Sequence, residues 1–316
     1  MRGYRVLCFI LISLLLFLQW GALSYGDESS HSGPEFLLYK YHAIERELEK
    51  GSGPAPFHVE SSVNQNTSHI DIYGTVIYPF NVVQNELLIP ANWCQIVLSH
   101  PDIRACTYKK ANDLWLLNVY NVRKYSEPLD AAYQLNFIYR VSKLQPGYFH
   151  MALTAKDGPS HTRDHHFVLE AIPRGKNLTF IHFRYSFGYN ALGYYFMKIF
   201  GGTKIGFSII GTDSAGNPVY VEELRGSAER DVVFHYLAIL AYLDTRKTPA
   251  CQRYERRFSK YYDLTMLFKK QLFEMERQEY LTYKRQDQAS QQRFQDNVSR
   301  QETCGGVKTC LRDVNP

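Results

Sequence analysis

The sequence predicts an α+β domain in which one apolar helix covers a broad antiparallel sheet. Apolar and polar side chains alternate over residues 133–141 (YQLNFIYRV) and again over 181–187 (IHFRYSF). Successive side chains on a strand point to opposite faces, so the alternation predicts one solvated face and one aromatic-rich face. Residues 232–243 are apolar nearly all round, which is typical of a helix buried on most sides. This helix is the expected cover of the aromatic face.

The other elements of the domain are delimited by breaker residues. A first strand is expected over about residues 69–78, and two short helices between 79 and 98, interrupted at Pro90. Turns such as Pro146-Gly147 separate the following strands. These strands are expected near Ala105–Lys109, Leu114–Lys124, Ala132–Lys143, Tyr148–Ala155, His165–Ile172 and Leu178–Phe187.

Changes in composition divide the chain into segments. A short helix is expected over Glu35–Lys50, and the Gly- and Pro-rich residues 51–56 end it as a linker. The predicted segments are a signal peptide (1–24), an N-terminal leader and linker (25–65), the main domain (66–245), a basic helical arm (246–300) and a Cys-containing tail (301–316).

The N-terminus predicts export. Arg2 and Arg5 precede an apolar run over residues 6–18, and small residues at 22–24 form a plausible cleavage site. The run is short for a membrane-spanning helix, although an uncleaved anchor is an alternative. We expect an exported, periplasmic protein, with secretion or a signal anchor as alternatives.

Five cysteines remain after the predicted signal. In an oxidising compartment their spacing predicts two local disulfides, Cys94–Cys106 and Cys304–Cys310, with Cys251 unpaired. The alternative is that all five are ordinary buried thiols. No CxxC pair is present in the sequence, so no zinc site is expected.

The order of elements over residues 66–245 carries a family resemblance. A strand, two short helices, a long antiparallel meander and a C-terminal helix follow one another. In this order, in the passage from Trp93 to Ile103 and in Arg225-Gly226-Ser227 at the start of the last helix, the chain resembles the START-like (helix-grip, SRPBCC) superfamily. The resemblance covers about half to two-thirds of the chain. It implies a helix-grip antiparallel sheet with a long C-terminal helix over its concave face, to which this chain adds a helical C-terminal extension.

The resemblance also implies an apolar cavity between sheet and helix that binds a lipid, sterol or polyketide, although one fold hosts many functions. Buried tyrosine hydroxyls need partners, which favours a cavity; the alternative is that these side chains pack directly on the helix and leave no space. The candidate ligand-binding residues are those of the apolar face: Phe137, Tyr139, Phe149, Met151, Phe167, Phe183 and Tyr185.

Residues 188–202 (GYNALGYYFMKIFGG) are aromatic and flanked by glycine. The segment predicts a lid or a membrane contact formed by Tyr194, Tyr195, Phe196 and Phe200, because their apolar surface would otherwise be exposed. The alternative is a core helix beneath the sheet edge.

Metal binding and catalysis find little support in the sequence. Histidines and an aspartate cluster over residues 161–166, but His165 and His166 on one strand would point to opposite faces. No nucleophile elbow or phosphate-binding loop occurs, and His182 and Arg184 are expected to face outward. We therefore expect no metal, no cofactor and no catalytic residues.

The net charge of +5 is concentrated in the arm, where residues 246–300 hold 13 Lys and Arg against 7 Asp and Glu. An apolar stripe runs from Phe258 to Met275. The functional interpretation is peripheral contact with an anionic membrane or a partner. The alternative, which we favour for residues 253–275, is that the stripe packs on the domain; residues 286–300 are Gln-rich and read as disordered. No nucleic-acid partner is expected.

Together these features predict an exported, non-enzymatic protein that binds or carries a lipid or other hydrophobic ligand in the cell envelope. One alternative is a cyclase- or aromatase-type enzyme, which would need a titratable group pointing into the cavity. The other is an envelope scaffold with a filled core.

Overall fold

The computed structural model describes residues 32–51, 55–64, 66–200 and 204–304, with the backbone alone at 196, 198–200 and 301–304. The predicted signal peptide and the predicted Cys304–Cys310 disulfide lie outside these residues. Within the described ranges, every helix is too short or too polar to cross a bilayer.

The described chain contains eight α-helices and ten strands. The helices are α1 (Pro34–Lys50), α2 (Phe80–Leu87), α3 (Pro90–Val97), α4 (Ala191–Phe200), α5 (Glu223–Thr245), α6 (Ala250–Met266), α7 (Lys269–Leu272) and α8 (Arg277–Cys304). The strands are β1 (Phe57–Val63), β2 (Thr67–Val76), β3 (Ile103–Ala111), β4 (Leu114–Asn121), β5 (Tyr133–Gln145), β6 (Tyr148–Asp157), β7 (Thr162–Pro173), β8 (Thr179–Tyr189), β9 (Ile209–Thr212) and β10 (Pro218–Tyr220).

Eight of the described strands form one sheet in the order β1-β2-β8-β7-β6-β5-β4-β3, with all neighbours antiparallel. The helices α2 and α3 connect β2 to β3 at the far edge, and α5 follows the meander and lies on one face of the sheet. This is the predicted α+β helix-grip fold with a long C-terminal helix and a helical extension, and the prediction is confirmed.

Residues 232–243 of α5 are apolar nearly all round, which matches their coverage on two sides. The helix packs mainly against β1, β2 and β8 on the sheet and against α6 on its outer side. Val232, Val233, Leu237 and Ile239 are fully buried as a result. Since α5 sits over β1, β2 and β8, the half of the sheet from β4 to β7 is left with room beneath it.

The sheet has one more edge strand than the sequence predicts. Residues 57–63 lie in the region assigned to leader and linker, yet they pair with β2 from Phe57 opposite Gly74 to Val63 opposite Ser68. Apolar Phe57, Val59 and Val63 alternate with polar neighbours, so a strand signal is present in the segment.

The face predicted to be solvated is instead covered across its central strands by α1. Leu37, Tyr41, Ile44 and Leu48 of this helix pack in a cluster with residues of β2, β6, β7 and β8. Even the polar His182 and Glu170 of this face are fully buried. The prediction of a wet face therefore holds at β5, where Gln134, Asn136 and Arg140 are exposed. It is wrong across β2, β6, β7 and β8, because the sequence predicts α1 as a helix but does not place it on the sheet.

The C-terminal arm packs against the domain. Phe258 and Tyr261 of α6 are buried in the main core, which confirms the favoured interpretation of the apolar stripe. The helix α8 runs along β3, and its Gln291 is buried against that strand. The expectation that residues 286–300 are disordered is wrong, because their glutamines bind the backbone of the sheet edge.

Candidate functional site

A cavity lies between the middle of the sheet and the N-terminal half of α5. Its inner pocket has a volume of about 180 Å³. The pocket is lined by Trp93, Val97, Ile103, Leu117, Val119, Asn121, Leu135, Phe137, Leu153, Pro159, His165, Phe167, Phe183, Tyr185, Asp231 and His235.

Four of the seven predicted ligand-binding residues line this pocket. Phe167 is central to them: its ring stacks on Tyr185 with centroids 3.9 Å apart and lies 5.8 Å from that of Phe183. Phe137 meets Phe167 edge to face at 5.6 Å. Their positions in the alternating patterns of β5, β7 and β8 place all four rings on the covered face, so they form one aromatic wall.

The structure places the other three candidates, Tyr139, Phe149 and Met151, in the packed core rather than at the pocket. The Tyr139 hydroxyl donates a hydrogen bond to the Leu88 carbonyl at 2.9 Å. The Phe149 ring lies 5.8 Å from that of Phe80 in α2. At this end of the sheet the helices α2 and α3 fill the space that the pocket occupies at the other end.

An outer chamber of about 510 Å³ adjoins the pocket and shares Asn121, Pro159, His165, Tyr185 and Asp231 with it. Its lining carries charges of both signs, whereas the pocket is mainly apolar. The additional charged residues are Asp102, Arg123, Lys124, Glu127, Lys204, Arg230 and Glu274. A ligand would therefore meet a polar mouth and an apolar interior.

Tyr185 and His165 form a hydrogen-bonded pair where the chamber meets the pocket. The Thr162 hydroxyl donates to the Pro159 carbonyl at 2.6 Å, so it accepts from His165 Nε2 at 3.0 Å. His165 Nδ1 is consequently unprotonated and accepts the Tyr185 hydroxyl proton at 2.6 Å. Burial lowers the pKa of His165 to about 4, which keeps the ring neutral and this arrangement intact near neutral pH.

Three side chains meet on the opposite wall of the cavity. His100 Nε2 lies 3.2 Å from Asp231 Oδ1, and the His235 Nδ1–H donates to the Asp231 carbonyl oxygen at 2.8 Å. Burial opposes ionisation of Asp231, but the contact with His100 and nearby positive charge outweigh it and lower its pKa to about 2. Burial lowers the pKa of His100. The carboxylate is therefore charged beside a neutral imidazole.

These three residues are also the group in the described chain that could hold a metal ion, since one donor atom from each lies within 4.8 Å of the others. The hydrogen-bonding pattern opposes it. The Asp102 backbone N–H donates to His100 Nδ1 at 3.2 Å, which leaves the proton on His100 Nε2, the atom that would have to bind the metal.

The predicted lid forms α4 beside the outer chamber, to which it contributes Met197. The Tyr194 ring lies 6.2 Å from that of Tyr189 and is partly buried, whereas Tyr195 is mostly exposed. The side chains of Phe196 and Phe200 lie outside the described atoms.

Sequence reasoning missed the polar side chains of the cavity. Asp231 and His235 are one helical turn apart and share a face of α5. The description of this helix as apolar does not take that spacing into account. His165 lies two residues before Phe167 on the same strand, so the two side chains point to the same, apolar face. The titratable groups that the enzyme alternative requires are therefore present. His182 and Arg184 lie on the other face, where both contact Asp71, as predicted.

No family model matches the chain, and no curated protein matches it. Among solved structures, it is similar to a truncated norcoclaurine synthase from Thalictrum flavum (11% identity, 44% of this chain and 84% of that one, TM-score 0.30). It is also similar to the Zhui aromatase/cyclase of Streptomyces sp. R1128 (11% identity, 58% of this chain and 98% of that one, TM-score 0.36). A third similar structure is human StAR-related lipid transfer protein 5 (10% identity, 49% of this chain and 83% of that one, TM-score 0.29). At such TM-scores the fold assignment rests on the strand order and helix position described above.

Proposed function

We propose that the protein binds a compact hydrophobic ligand in the cavity between the sheet and α5. The observation that carries the proposal is the aromatic wall of Phe137, Phe167, Phe183 and Tyr185, which lines an open pocket between the sheet and α5. Burial of apolar ligand surface against it would supply about 25 cal/mol per Å² before ordering costs.

The volumes support a small ligand. Small-molecule sites span about 300–1,000 Å³, so the inner pocket of about 180 Å³ encloses the apolar part of a ligand and the outer chamber of about 510 Å³ the remainder. We favour a ring-containing or single-chain molecule over a lipid with two long chains. The helix α4, which reaches the chamber through Met197, would gate entry.

We propose that this binding takes place outside the cytosol, in the periplasm or after secretion. The Cys94–Cys106 disulfide supports the proposal, because such bonds persist in oxidising compartments. The export-like N-terminal sequence supports it as well. Membrane contact through the arm is not part of the proposal, since the arm uses its apolar stripe to pack on the domain.

A second candidate function, catalysis of proton transfer on the bound ligand, is favoured by the Tyr185–His165 pair. The Tyr185 hydroxyl is held as a donor to a neutral imidazole, and burial raises its pKa well above 10. On the opposite wall, the neutral form of His235 presents the Nε2 lone pair, because Nδ1 carries the proton that is donated to Asp231. Because its proton is directed at His165, the Tyr185 oxygen faces the cavity as an acceptor, and so does His235 Nε2. Acceptors that face a bound ligand are what general-base catalysis requires.

Native mass spectrometry of the protein purified from its own source tests the binding proposal. We expect a stoichiometric small adduct that Val119→Phe removes by filling the pocket. Val141→Phe is the matched control, because Val141 is exposed and absent from the pocket lining. An apo mass that shows no uptake of offered hydrophobic compounds would contradict the proposal, and chemical conversion of the adduct on incubation would favour the enzyme.

A further inference from the structure

Almost all the polar groups that line the inner pocket present hydrogen-bond acceptors to it. The Tyr185 hydroxyl proton is used in the bond to His165, so the phenolic oxygen faces the pocket with its lone pairs. Both nitrogens of His165 are occupied, by Tyr185 and by Thr162. Asn121 is the pocket residue whose amide retains donors.

The wall formed by α5 has the same polarity. His235 commits its Nδ1–H to the Asp231 carbonyl oxygen, so the neutral form of its ring presents Nε2 as an acceptor. The Asp231 side chain is 40% exposed and lines both the pocket and the outer chamber. Its carboxylate adds two acceptor oxygens and a full negative charge.

That charge has no cationic side chain paired with it in the described part of the chain. The close polar contact of Asp231 is with His100, which is neutral. Two cationic side chains of the chamber lining bind another carboxylate, since Lys204 Nζ lies 3.1 Å from Glu274 Oε1 and Arg230 also binds Glu274. A carboxylate in this position favours a positive ligand group.

Aromatic rings complete the surroundings of the carboxylate. His235, one turn from Asp231, lies 5.4 Å from the Phe167 ring, which stacks on Tyr185. Faces of aromatic rings attract cations within about 6 Å. A cation bound by Asp231 would therefore lie in a pocket whose lining combines hydrogen-bond acceptors with aromatic rings.

We propose that the ligand of this cavity carries a protonated amine, with its N–H groups directed at Asp231, His235 Nε2 and the Tyr185 oxygen and its apolar part against Phe137, Phe167 and Phe183. This inference rests on the proposed function and specifies its ligand class. A ligand with a carboxylate would be repelled by the negative charge of Asp231, and a neutral ligand would leave that charge unpaired.

Calorimetric titration with 4-phenylbutylamine, 4-phenylbutanol and 4-phenylbutyrate tests the inference, because the three probes share one apolar part. We expect the amine to bind about tenfold or more tightly than the alcohol, since hydrogen bonds to charged groups exceed neutral ones. The carboxylate should bind most weakly. This comparison on the wild-type protein does not depend on any variant folding.

Two variants locate the effect. Asp231→Asn should remove the preference for the amine, so that the amine and the alcohol bind within about twofold of each other. Asp244→Asn is the matched control: it makes the same charge change on the same helix, at a side chain that binds Tyr78 and Lys260 instead of lining the cavity.

The outcomes separate the inference from the proposed function. Equal binding of amine and alcohol, with both lost in Val119→Phe, would overturn the amine inference and leave hydrophobic binding standing. Failure of all three probes and of every other hydrophobic compound would overturn both. Stoichiometric binding of Zn²⁺ that Asp231→Asn abolishes would make the cluster a metal centre and would also overturn the inference.

Discussion

The Gln291 side chain of α8 accepts a hydrogen bond from the Cys106 backbone N–H at 3.1 Å. Four residues on, Gln295 accepts from the Tyr108 N–H at 2.9 Å and donates to the Tyr108 carbonyl at 3.0 Å. The strand β3 is the edge of the sheet, so these amides satisfy groups that a neighbouring strand would otherwise pair. The helix seals the edge.

Removing both amides should destabilise this edge. We expect Gln291→Ala/Gln295→Ala to lower the free energy of unfolding by about 1–3 kcal/mol, because the β3 backbone groups lose their partners. Urea denaturation measures the change. Gln292→Ala is the control, since Gln292 faces outward and binds Asp296 on its own helix. Equal effects of the two variants would show that the amides do not seal the edge.

The Cys94–Cys106 disulfide ties α3 to β3 across a separation of 12 residues. Its removal in Cys94→Ser/Cys106→Ser should cost about 3 kcal/mol in the chain-entropy model for a loop of this length. The midpoint of chemical denaturation checks the value under non-reducing conditions. Cys251→Ser should leave stability unchanged, because Cys251 is exposed and outside any described disulfide. A similar loss in both variants would contradict the prediction.

A buried charge network beneath α1 should make stability depend on pH. His182 Nδ1 contacts Glu170 at 2.8 Å and Nε2 contacts Asp71 at 2.6 Å. Burial opposes the charged forms of all three groups, but their mutual contacts outweigh it: the pKa of His182 is raised above 6.5, and the pKa values of Glu170 and Asp71 are lowered.

The signs follow from linkage. The His182 contribution is full below pH 6.5 and is lost as pH rises through its raised pKa. The carboxylate contributions are present above their ordinary pKa values and are lost as pH falls through the lowered ones. Melting temperatures of wild type and His182→Gln across pH test this. We expect the alkaline decline above pH 6.5 to vanish in the variant; its persistence would assign the decline to other groups.

The packing of α5 on β2 leaves no room at Gly74. A Cβ at this position would lie 2.2 Å from the Tyr236 hydroxyl oxygen and 3.0 Å from the Pro56 carbonyl oxygen. Gly74→Ala should therefore destabilise by about 1–3 kcal/mol, as overpacking does. Gly211→Ala is the control, because a Cβ there meets open space. Thermal melts compare the two, and an unchanged Gly74→Ala would show that α5 can shift at little cost.

The fold was predictable because its signals are local. The alternation around Phe137 and Phe183 and the apolar run of α5 each act within one element. The site was only partly predictable. The alternation of side chains along each strand identifies which of them face α5, but it does not show where a gap separates α5 from the sheet. That depends on its packing against β1 and β2, which leaves space at Phe167 and none at Phe149.

The other features that the sequence does not predict are contacts between residues that are distant along the chain. Gln291 and Gln295 look like the residues of a solvated helix until the backbone of β3 is known to lie beside them. The coverage of His182 by α1 has the same origin, because the helix was visible in the sequence and its docking surface was not. Neither relationship leaves a periodic signal in the chain.

The coverage of β3 by α8 has a consequence during synthesis of the chain, because the strand is made well before the helix that covers it. Cys106 and its partner Gln291 are 185 residues apart. At about 5–20 residues per second, a ribosome takes about 10–40 s to travel between them. During that interval the strand edge has no cover of its own and can pair with another nascent chain. Shortened versions of the protein that stop before α8 would keep this vulnerability permanently.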